Sequence, residues 1–132
     1  MTFDVTGKAI FLSGPMTGIE NDNVAAFCDA HATLKKLGAR KVYNPALELL
    51  NHPELSELTH ERWMIRTLHE LTGHWSDDMR PEYDMVVQLP GWQSSDGAMA
   101  EHFCARACGI ESVPLECVIP PETPTECPSE GL

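Results

Sequence analysis

Short β-prone runs alternate with longer amphipathic segments along this chain, and no other feature restricts its fold as much. Lys8 to Ser13, KAIFLS, reads as a buried first strand ending at Gly14-Pro15. Asn21 to Leu37 follows, with Val24, Phe27, Cys28, His31, Leu34 and Leu37 at helical spacing, a cap from Asn21, Asp22 or Asn23, and Gly38 at its end. Arg40 to Tyr43 is a second strand, stopped by Asn44-Pro45, with a helical turn over Ala46 to Leu50. Leu58 to Leu71 is helical, with Met64, Leu68 and Leu71 on one side. Met85 to Leu89 is a third strand, Gly97 to Cys108 a further helix, and Val113 to Ile119 a fourth strand interrupted by Pro114. In the last helix the stripe Ala100, Phe103, Cys104, Ala107 and Cys108 is expected to lie on the sheet. This alternation predicts an α/β fold with a parallel sheet and right-handed crossovers.

At 132 residues and 42% hydrophobic content, one domain with a real core is expected, over residues 1–119. Residues 120–132 hold four prolines and no apolar periodicity, and are expected to form a flexible tail. The connection Thr72 to Asp84 is long for a compact domain: a lid, a partner contact or an insertion. A net charge of −11 argues against a nucleic-acid polymer as partner, whose phosphates need a basic surface. A single phosphate stays open, because backbone N–H groups at a helix start hold it without net positive charge. No apolar run reaches membrane-spanning length, and Met1 to Gly7 lacks signal-peptide character, so a cytoplasmic protein with no membrane contact is expected. Cys28, Cys104, Cys108, Cys117 and Cys127 are then reduced thiols, with Cys104 and Cys108 serving as small core hydrophobes.

In parallel sheets, ligands bind beyond the carboxyl ends of the strands. Three segments converge there: Ser13 to Gly18, Tyr43 to Pro45 around Asn44, and Pro90 to Gly97. Glu101 falls in the first or second turn of the helix that follows. It is either a catalytic carboxylate, nucleophile or cation stabiliser, or a surface glutamate of the capping region, the commoner role. Ser94 and Ser95 can bind a phosphate or cap the helix. Gly91 and Gly97 permit close backbone approach or make the turn, and Trp92 stacks on a base or packs. Gly14, Pro15 and Met16 form a candidate ligand loop that is neither GxxxxGK nor GxGxxG. His60-Glu61 and His69-Glu70 lack the second histidine of HExxH, so no metal is expected, and no GxSxG elbow occurs.

IFLSGPMTG (Ile10 to Gly18), YNPA (Tyr43 to Ala46) and DMVVQLPGWQSSDGAMAEH (Asp84 to His102) resemble, in order and spacing, a phage and bacterial family of the nucleoside 2-deoxyribosyltransferase-like superfamily. The resemblance implies a flavodoxin/Rossmann-like three-layer fold with a central parallel sheet of four to five strands. It implies cleavage or transfer of the N-glycosidic bond of a 2′-deoxynucleoside or its 5′-monophosphate. Glu101 matches the nucleophile that forms a covalent deoxyribosyl ester, and Ser95 a serine near the 5′-phosphate. Gly14, Pro15, Met16, Asn44, Gly91, Trp92, Ser94, Ser95 and Gly97 are the expected substrate contacts; no cofactor and a homo-oligomer are implied. Two positions differ from the family pattern: Phe11 stands where relatives carry an orienting tyrosine, and Thr67 where they carry an aspartate acting on the base. Asp77, Asp78 or Asp84 are candidate replacements, Asp84 with a structural alternative. The second reading is therefore a nucleotide-binding or sensing protein with little or no turnover.

Overall fold

The computed structural model describes residues 3–16 and 19–118. The strands β1 (Ala9–Ser13), β2 (Lys41–Tyr43), β3 (Met85–Gln88) and β4 (Glu111–Pro114) form one all-parallel sheet in the order β2-β1-β3-β4. The helices α1 (Val24–Lys36), α2 (Pro45–Asn51), α3 (His60–Thr72) and α4 (Asp96–Ala107) cover it. This is the α/β, flavodoxin/Rossmann-like architecture, with four strands.

The central strands β1 and β3 are buried along their whole length, which explains their unbroken apolar sequences. Side-chain alternation then sorts them to two faces. Ile10, Leu12, Met85 and Val87 pack with Phe27, Ala30 and Leu34 of α1 and Ala46 of α2. Ala9, Phe11 and Val86 pack with Leu71 of α3, Ala105 of α4 and Tyr83. The strand order reverses between β1 and β3, the crevice where such sheets hold ligands. Gly14 lies at that crevice, where a Cβ would come within 2.8 Å of Leu89 Cβ, so only glycine lets the two strand ends lie this close.

Four expectations change. The fourth strand starts earlier, because Gly109 turns the chain at φ 76° and Ile110 is already buried. It stops at Pro114, which has no N–H to continue the ladder; Leu115–Cys117 is a 3₁₀ turn instead. The helical stripe on α4 is displaced: Ala98, Glu101 and Ala105 face inward, while Phe103 is 55% exposed and Cys108 is exposed. The reason is steric, since Ala105 packs with Ala9, Phe11 and Val86 of the sheet and the helix face it shares with Ala98 and Glu101 goes in with it. None of Asn21, Asp22 and Asn23 caps α1 with its side chain; all three have left-handed backbone (φ 52°, 53° and 63°), and Asn23 Nδ2 donates to Pro15 O at 3.0 Å. The turn after Asn44 is a full helix, α2, because the Asn44 side chain accepts from the N–H groups of Ala46 and Leu47.

Between α3 and β3 the chain forms an antiparallel bridge, Trp75 to Pro81, and then buries Tyr83, whose hydroxyl donates to Glu70. Among the described residues no helix is long and apolar enough to cross a membrane. Cys28, Cys104, Cys108 and Cys117 are free thiols; Cys127 and the tail lie outside the described residues.

Candidate functional site

The parallel sheet places the ends of β1 and β3 beside the start of α4, whose direction opposes theirs. Ser95 caps that helix: its Oγ accepts from Ala98 N at 3.2 Å and its carbonyl from Met99 N at 2.9 Å. The first-turn donors that Ser95 does not take are the N–H groups of Asp96 and Gly97. One turn on, Glu101 points inward and is 7% exposed.

Two hydroxyls govern that carboxylate. Ser13, last residue of β1 and on the same face as Phe11, donates to Glu101 Oε1 at 2.6 Å, a short bond of the charge-assisted kind. Thr67 on α3 is a second hydroxyl that favours the ionised form. Burial outweighs both and pushes the Glu101 pKa up from 4.5 to about 7. At neutral pH the carboxylate is therefore close to half ionised, the condition of a group that exchanges protons or attacks an electrophile.

Glu101 lines a slot of about 40 Å³, together with Gly14, Met16, Pro45, Ser95, Gly97 and Ala98, and with His60, Trp63 and Met64 from α3. A larger cleft of about 720 Å³ adjoins it and shares His60, Ser95 and Gly97 with it. Pro15, Asn23, Gly91, Ser94 and Asp96 help line this cleft. The slot is narrow because α4 and α3 touch there: a Cβ on Gly97 would stand 3.0 Å from Met64 Sδ.

Replacing Ser13 by alanine tests the geometry directly. It leaves one carboxylate oxygen without its buried partner, so we expect a loss of about 1–3 kcal/mol of stability at pH 8. The Glu101 pKa moves further upward, because a contact that favours the anion is gone. Denaturant unfolding and carboxyl-carbon NMR titration measure the two effects.

A family model described as a domain of unknown function (DUF4406) matches residues 8–113. The chain belongs to this family. No curated protein and no solved structure matches it. The DUF4406 region runs from the start of β1 into β4, so the slot and the cleft both lie within it.

Of the residues singled out in the sequence, Gly14, Met16, Ser95, Gly97 and Glu101 meet at the slot, and Pro15, Gly91 and Ser94 border the cleft of the DUF4406 region. Asn44 lines neither. It is 5% exposed and is spent on capping α2 and on a 3.2 Å contact with His31 Nδ1. Trp92 lines neither as well; its ring lies 4.8 Å from that of His102. That histidine sits 2.9 Å from Gln88 Nε2 and 3.0 Å from Ser112 Oγ, away from Glu101. Asp84 has the structural role: its Oδ2 accepts from Ala9 N at 2.8 Å. Asp78 pairs with Arg80 in the exposed 76–80 turn, and neither it nor Asp77 borders the slot. Phe11 stacks on Tyr43 with ring centres 4.9 Å apart and meets Tyr83 edge-on, so its position is filled by packing.

Sequence reasoning put Ser13 in a segment at the ligand edge without giving it a role, and it missed the α3 wall. Ser13 carried a signal, since it follows Phe11 by two residues on a strand and so shares its face. His60, Trp63 and Met64 show i, i+3, i+4 spacing, but nothing in the sequence says which element that face meets.

Proposed function

We propose that this protein cleaves or exchanges the N-glycosidic bond of 2′-deoxynucleoside 5′-monophosphates, hydrolysis before transfer, on a nucleoside 2-deoxyribosyltransferase-like scaffold. The observation that carries the reading is Glu101: a buried carboxylate, gripped by the Ser13 hydroxyl, at the crevice between β1 and β3. Its Oε attacks C1′ of the deoxyribose, the C1′–N bond breaks, and the electron pair leaves with the base, which takes up a proton. Water then attacks C1′ of the ester, the C1′–O bond breaks, and the carboxylate is restored; a second base in place of water gives transfer. Ser13 supplies the orienting hydroxyl that Phe11 cannot.

The adjoining cleft has a volume suited to a small organic ligand. The free first-turn N–H groups of Asp96 and Gly97, with Ser94 and Ser95, suit a 5′-phosphate there. The Asp96 carboxylate on the same wall opposes that anion. The chemistry calls for no cofactor. A cytoplasmic homo-oligomer acting on free deoxynucleotides completes the reading.

Binding without turnover is the second reading, and one observation favours it: a slot of about 40 Å³ has no room for a furanose until Met16, Trp63 or Met64 moves. Incubation with each of the four deoxynucleoside monophosphates, followed by chromatography, separates the two. We expect free base from at least one. Saturable binding with no base from any of them establishes the second reading, and no binding at all removes both.

A further inference from the structure

We infer that His60 is the proton donor to the departing base. The inference rests on the glycoside reading above and names the group that reading lacks. Breaking a C1′–N bond leaves an electron pair on a base nitrogen, and that nitrogen needs a proton as the bond parts. Thr67, where the family that the sequence resembles carries an aspartate, is an alcohol and no acid near neutral pH. Asp84 is held by Ala9 N, and Asp77 and Asp78 border neither the slot nor the cleft.

Among the ten described residues that line the slot, Glu101 and His60 are the two that carry a carboxyl or imidazole group. Glu101 is committed to C1′. His60 lines both the slot and the cleft, so it borders the path a base takes when its sugar stands over Glu101. The other titratable group on that path is Asp96, which lines only the cleft. His60 is the first residue of α3, follows the capping Thr59 and is exposed, so the fold makes little use of its side chain.

The step balances as follows. The His60 imidazolium gives its proton to a ring nitrogen of the base while the C1′–N pair moves onto the base and Glu101 Oε bonds to C1′. Neutral imidazole then takes a proton from the water that attacks C1′, the ester C1′–O bond breaks, and both side chains return to their starting states. This pattern differs from a positioning role, because the proton is transferred and an external acid of the same kind can supply it.

The test is His60→Ala with added imidazole, on whichever deoxynucleoside monophosphate the wild type cleaves fastest. We expect kcat to fall by about 10²- to 10⁴-fold with KM and the thermal midpoint little changed. Imidazole should restore kcat in proportion to its protonated concentration, and should leave Glu101→Gln inactive. Unchanged kcat, or a loss that imidazole does not relieve, overturns the assignment of His60 while base release by the wild type keeps the glycoside reading. Failure of the wild type to release any base removes the glycoside reading, and the role of His60 with it.

Discussion

Under the proposed mechanism, Glu101→Gln is expected to abolish base release, with a fall in kcat of about 10³-fold or more. An amide is nearly isosteric with the carboxylate and still accepts from Ser13 Oγ, so the slot keeps its shape. It has no anionic oxygen to form the ester, and the route through a covalent intermediate closes. A thousandfold corresponds to roughly 4 kcal/mol of transition-state stabilisation, the scale expected when the attacking group itself is lost. The same reasoning fixes the acid limb of the wild-type profile. On the proposed mechanism only the ionised carboxylate attacks, and its pKa is about 7, so the limb of kcat/KM that Glu101 sets climbs as pH rises toward that value. Mass spectrometry of the quenched wild type, digested to peptides, should find deoxyribose 5-phosphate on the peptide that contains Glu101. Undiminished turnover by Glu101→Gln, at any pH, would dispose of the nucleophile.

The same substitution stabilises the protein above neutrality. In the unfolded chain Glu101 titrates near 4.5, and in the folded protein near 7, because burial disfavours the charge more than the Ser13 and Thr67 hydroxyls favour it. Between those values the folded state binds more protons than the unfolded one, so folding stability declines as pH rises through the window and then levels. The displacement from 4.5 to about 7 corresponds to roughly 3 kcal/mol. Glu101→Gln does not titrate there. The variant should exceed the wild type by up to about 3 kcal/mol at pH 8, and the gap should close near pH 4. Urea midpoints of the two proteins across that range measure the difference, in which the other titrating groups largely cancel. A gap that stays constant with pH contradicts the buried, charge-averse setting of Glu101. The wild type holds a destabilising group where the proposed chemistry needs one, the usual relation between activity and stability.

How far the sequence alone reaches depends on which interactions are local. β1 and β3 are legible because a strand buried on both faces must be apolar throughout. β4 is read a few residues late because its first residue, Glu111, is exposed and a polar start hides an edge strand. The inward face of α4 defeats hydrophobic periodicity for a chemical reason: Glu101 counts as polar and is assigned outward, whereas Phe103 counts as apolar and is assigned inward. The residue at the centre of the proposed chemistry is thus the one that breaks the pattern, as expected of a functional position. Glu101 itself is found through topology and resemblance. The roles of Asn44 and Trp92 depend on the partners His31 and His102, and no spacing rule supplies those.

Glu101 shares its helix face with Ala98 and Ala105, both buried, and Ala105 packs with Phe11 and Val86 of the sheet. Rolling α4 to relieve a bulkier side chain at either alanine would swing the carboxylate off Ser13. Repacking and misaiming are here a single displacement, so an assay of turnover should register core damage at these positions before a melting curve does.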